Sequence, residues 1–328
     1  MINKYYFCIV FIFAFILNAF ASDIVEESIE QEKTKITPVL FYEHALMDDG
    51  GYRAPGAAVI IAGGDRDLPF RHESSGFFLG ALYKQYTFSD MKVPDYSDTY
   101  HDIEMLLKQR YERHYFILFF ESYAQRPVVS GLQSLSAAIG YGFDLVQKNN
   151  YSISLGCMIG VSDYGIDLPD GRPIPVLPFP VARFTANYSW LKITYEFVMK
   201  SFVNFEIAPQ KQIRMTGYLR MDRYTGIRDL LFDCALWYRF FPVNYKFGDF
   251  AGIAVGMKND GRKFALPTKD KSFTFSQYSS FVKLDLSVLQ LTCGYIFSGS
   301  ETYIDGNEKI KMKTGEGWWA SVQAAYRF

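Results

Sequence analysis

The chain of 328 residues carries 34 Lys and Arg against 35 Asp and Glu, a formal net charge of −1. That balance leaves no basic footprint for nucleic acid. Aromatics are 18% of the chain, yet mean hydropathy is only −0.03. Beyond the first residues no run is long and apolar enough for a spanning helix, so the mixture points to sheet with one apolar and one wetted face.

In chain order, the start "MINKYYFCIVFIFAFILNAFAS" joins Lys4 to an apolar run from Tyr5 to Leu17 and then to Ala19-Phe20-Ala21. Charge, apolar core and A-x-A spacing predict a signal peptide over 1–21, cut after Ala21. Cys8 lies inside the apolar core, too early for a lipoprotein cleavage site. An exported chain without spanning helices that enters a membrane must do so as a closed β-barrel. Residues 22–55 are charged and lack alternation, and are expected to form a periplasmic N-terminal extension. The barrel is expected over 56–328, with first strands near 56–63 and 76–88. The segment 94–113 is expected as a helical insertion: Tyr100, Ile103, Leu106, Leu107 and Tyr111 fall on one stripe, with Ser97 or Asp98 as the cap. Such a helix would cover the lower rim or plug the lumen.

Further along, apolar and polar residues alternate with a period of two. Ile153, Leu155, Cys157, Ile159 and Val161 oppose Ser152, Ser154, Gly156, Met158 and Gly160. Leu230, Phe232, Cys234, Leu236, Tyr238 and Phe240 oppose Asp229, Asp233, Trp237 and Arg239. Strands at 113–124, 132–146, 151–162, 179–187, 190–197, 201–208, 212–222, 228–240, 249–258, 272–285 and 288–298 follow from the same pattern. Cys157, Cys234 and Cys293 all fall on apolar faces and read as small hydrophobes rather than as a disulfide framework. The four histidines are scattered and no metal-ligand spacing occurs, so neither metal nor cofactor is expected.

The chain closes on "GWWASVQAAYRF". Trp318, Ala320, Val322, Ala324, Tyr326 and Phe328 share one face, and Trp319, Ser321, Gln323, Ala325 and Arg327 the other. This stretch resembles the last strand of bacterial outer-membrane β-barrels. The resemblance implies outer-membrane lipid as surroundings, periplasmic chaperones in transit, and Phe328 as the signal read by the barrel-assembly machinery. It says nothing of oligomeric state. The expected fold is therefore all-β: a transmembrane antiparallel barrel of about fourteen strands, with twelve as the alternative. In that count the short segments 147–150, 186–190, 209–212 and the turn near Ser287 are periplasmic. The longer segments 163–178, 259–271 and 299–316 lie outside.

Inward positions bear mixed charge: Arg183, Lys192, Glu196, Arg214, Arg220, Asp229, Asp233, Arg239, Lys283 and Asp285. Either they pair to brace the interior, or they line a polar passage. The expected function is a porin-like or substrate-binding pore for small solutes, not an enzyme. The alternative is a non-transport barrel, either a lipid hydrolase or a structural or surface-binding protein working through its outer loops. In "FRHESSGFF", His72 and Ser74 stand two apart, and His beside Ser can activate an ester nucleophile. This is similar to the H-x-S-N of outer-membrane phospholipases and lipid A deacylases, but Ser75 replaces the Asn. Replacing the terminal aromatic by a charge, Phe328→Asp, should lower the outer-membrane yield of heat-modifiable barrel in cell fractions; a normal yield would remove the assembly signal from that residue.

Overall fold

The computed structural model describes residues 34–64, 76–89, 96–126, 134–162, 175–198, 200–209, 211–221, 230–240, 251–267, 271–286, 288–306 and 308–326. Every element among them is a strand: β1 (Lys35–Met47), β2 (Gly50–Gly64), β3 (Gly76–Ser89), β4 (Thr99–Tyr111), β5 (His114–Ala124) and β6 (Leu135–Lys148). Next come β7 (Tyr151–Ser162), β8 (Val176–Asn187), β9 (Leu191–Val198), β10 (Lys200–Ile207), β11 (Ile213–Met221) and β12 (Leu230–Arg239). The last are β13 (Gly252–Ala265), β14 (Lys271–Asp285), β15 (Leu289–Asp305), β16 (Glu308–Thr314) and β17 (Gly317–Ala325).

Neighbouring strands pair antiparallel throughout, and β1 is paired on both edges. It meets β2 on one side and β17 on the other, with Val39 opposite Ala325 and Met47 opposite Gly317. The sheet is therefore a closed ring, and no edge offers unpaired N–H and C=O groups to lipid. β15 pairs with β17 over its first half and with β16 over its second, so β16 and β17 are two halves of one broken strand and the ring has 16. An even ring brings Thr34 and Tyr326 to the same end, here the terminal end.

The alternation read from the sequence becomes two surfaces. Leu40, Leu46, Ile139, Ile159, Leu236, Val255 and Trp318 point outward, each more than half exposed. Cys157 and Cys293 are on the same outer face. An apolar belt carried by strand after strand is a lipid-facing surface. The opposite positions of the same strands, such as Ser152, Ser154, Ala235, Trp237 and Arg239, are buried in the interior.

Three expectations are corrected. The barrel begins at Lys35 and not at residue 56, because β1 and the start of β2 fall within the stretch 22–55 expected as a periplasmic extension. Its alternation is disguised by Glu43, an inward residue that reads as a surface charge until its partner Lys84 is seen. The segment expected as a helix over 94–113 is β4, paired with β3 and β5 along its length. It carries apolar residues on both faces, Leu106 inward and Ile103, Leu107 and Tyr111 outward, and that mixture imitates a helical stripe. Adding β1 and β4 raises the count from fourteen to 16. It also inverts the expected direction of the strands at 56–63 and 76–88. Finally, β13 and β15 run on to Ala265 and Asp305, into stretches expected as outer loops. The inward charges Asp260 and Arg262 continue β13 where the sequence looks like loop.

From β5 onward the sides agree with the sequence reading. The turns at 149–150 and 188–190 lie at the terminal end, as do the end of β10, the start of β11, the end of β14 and the start of β15, while β7 ends and β8 begins at the far end. The signal peptide, His72, Ser74, Asp229 and Phe328 lie outside the described residues. The two faces predict unequal tolerance of charge. Leu236→Arg should cost about 2–4 kcal/mol of stability in lipid vesicles, as measured by urea unfolding, because it buries a guanidinium in hydrocarbon. Asn204→Arg, at an exposed lumen position, should cost far less.

Candidate functional site

A ring of this size is wide enough to hold water, since about 16 strands is the porin range. Here the lumen divides into a packed side and a hollow side. The packed side is an aromatic mass. Phe88 of β3 meets Phe273 of β14 at 5.0 Å between ring centroids. Tyr100 of β4 meets Phe264 of β13 at 4.9 Å and Phe273 at 5.1 Å. Tyr52, Tyr86, Phe275 and Tyr303 join the same cluster, all nearly inaccessible to solvent.

Charges tie the walls together beside it. Arg262 Nε of β13 donates to Asp102 Oδ2 of β4 at 3.2 Å, and Asp102 is fully buried. The same guanidinium reaches Asp260 Oδ1 at 3.2 Å. Lys84 Nζ approaches Glu43 at 3.3 Å, while Tyr52 donates its hydroxyl hydrogen to Glu43 and receives one from Gln277 Nε2 at 2.7 Å. At the far end the chain itself crosses the opening. Gln125 N donates to Ala265 O at 3.0 Å, and Ala124 of β5 forms a parallel bridge with Ala265 of β13. These two strands stand on opposite sides of the ring, so the far mouth is pinched across its middle.

The hollow side lies between β2–β5 and β8–β12. Three cavities of about 430, 460 and 340 Å³ occur there, all lined in part by Asn204. Lys108 and Glu196 line both the first and the third, and Tyr218 both the first and the second, so the three are compartments of one space.

Where the structure describes them, the charged residues of the inner positions make the following contacts. Glu196 accepts from Lys108 Nζ at 2.9 and 2.7 Å, across the lumen from β4 to β9. Arg183 stands in register with Glu196 on the neighbouring strand. Arg214 donates to Glu206 Oε1 at 2.6 Å, and Arg239 approaches the same carboxylate at 3.7 Å. Arg214 also lies over the Trp237 ring at 5.3 Å. Arg220 reaches Glu121 at 3.9 Å. Lys192, Asp233 and Lys283 line the second cavity. Asp285 accepts from Gln290 at 3.2 Å near the terminal end.

What the sequence reading missed is the other half of most of these pairs. Lys108 and Asp102 sit on the strand mistaken for a helix. Glu121 and Glu206 share parity with inward residues of their own strands, and that parity is the signal that would have found them. Lys108 with Glu196 and Arg220 with Glu121 join opposite walls, and removing one member of a buried pair leaves an uncompensated charge.

The closed ring, the apolar belt and the charged interior define an outer-membrane β-barrel. No protein-family model matches the sequence, and no curated protein matches it. Among solved structures the chain is similar to the outer membrane protein opdK from Pseudomonas aeruginosa at 8% identity, over 91% of this chain and 100% of that one, with a TM-score of 0.34. It is similar to Acinetobacter baumannii OccAB4 at 10% identity, over 91% and 99%, with a TM-score of 0.35. It is similar to Pseudomonas aeruginosa OccK8 (OprE) at 10% identity, over 90% and 98%, with a TM-score of 0.31. The assignment to the barrel class rests on the strand pairing described above and not on these distant likenesses.

The cross-lumen pairs predict a specific stability pattern. Arg262→Ala should cost about 3–5 kcal/mol in denaturant titration, because Asp102 and Asp260 lose their shared cation. The double change Arg262→Met with Asp102→Asn should recover part of that loss.

Proposed function

We propose that the protein is a passive, narrow pore for small solutes, with its passage on the hollow side of the lumen. The observation that carries the proposal is the contiguous space between β2–β5 and β8–β12, lined by apolar and charged side chains, beside a densely packed aromatic cluster. A barrel built only as a membrane anchor has no need of that asymmetry. Both signs of charge line the space: Glu104, Lys108, Glu121, Glu196 and Arg220 in the first cavity, and Lys192, Glu206, Asp233 and Lys283 in the second. Paired charges of opposite sign leave little net field, so the pore should discriminate weakly between small anions and cations.

Planar-bilayer recording of the purified barrel tests this reading. The wild type should give small, ohmic steps, well below those of an open barrel of the same strand number. Phe119→Ala, which removes a ring from the wall of the first cavity, should enlarge the step. Arg220→Ala should shift the reversal potential toward cation selectivity by leaving Glu121 without its partner across the lumen. A barrel that stays silent in both the wild type and Phe119→Ala would rule out a pore.

A further inference from the structure

The third cavity holds more than space. Its walls come from β3, β4, β5, β8, β9 and β10, and it encloses about 340 Å³. Phe78, Leu106 and Ile117 give it an apolar bed. Its charged side chains are engaged with one another. Lys108 Nζ donates to both carboxylate oxygens of Glu196, at 2.9 and 2.7 Å. Arg110 pairs with Asp144 and donates through Nε to Glu112 O at 3.1 Å. Arg183 stands opposite Glu196 in register.

Three buried polar atoms of the lining lack a hydrogen-bond partner: Arg183 Nε and two neutral hydroxyls. Tyr115 is 5% exposed and Thr194 8%, both line this cavity, and the Tyr115 hydroxyl and Thr194 Oγ1 have no hydrogen-bond partner in the protein. Buried hydroxyls are ordinarily satisfied, and an orphan in a cavity marks where a guest's polar atom would sit. The Tyr115 ring is held in place by its cross-strand neighbour. Gly142 lies opposite it on β6, and a Cβ at that position would overlap the ring and its hydroxyl. With no Cβ at Gly142, the ring and its hydroxyl lie over that residue of β6.

We propose that this cavity is a binding station for a small uncharged molecule with an apolar body and a hydroxyl or carbonyl group. The body would rest on Phe78, Leu106 and Ile117, and the polar atom would exchange hydrogen bonds with Tyr115 and Thr194. A guest carrying a full charge is disfavoured, because a cation would face Lys108, Arg110 and Arg183 in the wall and an anion would have to compete with Glu196 for Lys108, which Glu196 already holds. The proposal rests on the pore reading for its meaning, since it names the class of solute that the passage would retain, but the station can be tested without any measurement of conductance.

The test is equilibrium dialysis of the barrel in lipid nanodiscs, with empty nanodiscs as blank and benzyl alcohol, benzoate and benzylamine as probes of similar size and different charge. Benzyl alcohol should bind saturably, and the two ions at least about tenfold more weakly. Tyr115→Phe and Thr194→Val keep shape and remove one hydrogen-bonding group each, and each should weaken benzyl alcohol about three- to tenfold. Gly142→Ala should weaken it too, by displacing the ring. Heat-modifiability of each variant verifies that the barrel is intact. No saturable binding, tighter binding of either ion, or affinity unchanged in both hydroxyl variants overturns the proposal. Binding with the expected pattern in a barrel that never conducts would keep the station and remove the pore.

Discussion

The structure depends on one constraint: a sheet in hydrocarbon has no water to satisfy its edge, so the first and last strands must find each other. β1 meets β17 over nine residue pairs, from Val39 with Ala325 to Met47 with Gly317, and that seam turns a meander into a ring. Everything else is conditional on it. Closure forces one face of every strand outward, which makes the apolar belt, and forces the other inward, which collects the charges. It also sets the parity, so that both ends of the described chain lie together.

Closure by itself does not make a round pipe. A ring of this strand number left unbraced would enclose an open channel. Here the far mouth is drawn together by main-chain contact between β5 and β13 and by the pairing of Arg262 with Asp102. Aromatic packing then fills the tall β13–β15 side, and the lower wall of β9–β12 keeps the free space. The division between a solid half and a hollow half follows from where the long aromatic side chains were placed on the inner face.

The hollow half is chemically mixed in a particular way. Its charges are matched across short distances, Lys108 with Glu196 and Arg214 with Glu206, so they stiffen the wall more than they project a field. Among the buried polar atoms of its lining that lack a hydrogen-bond partner are the hydroxyls of Tyr115 and Thr194 and the Nε atoms of Arg183 and Arg220.

The class and most of the staves are legible in the local pattern of the chain. Side chains alternate along a strand, so lipid on one side and water or charge on the other leave a period of two that is readable in "YSISLGCMIGV" and "DLLFDCALWYRF". The same local rule placed Arg183, Glu196, Arg214, Arg220 and Arg239 indoors. Only the tertiary structure decided the rest. β1 and β4 carry inward charges whose burial is permitted by partners far away in the chain: Glu43 by Lys84, Asp102 by Arg262, and Lys108 by Glu196. Read alone, such residues look like surface or helix, because the partner that neutralises a buried charge leaves no mark on the local pattern. The pinched mouth, the filled half and the orphan hydroxyls of Tyr115 and Thr194 are likewise products of opposite walls meeting, and no local period of the chain encodes which walls meet.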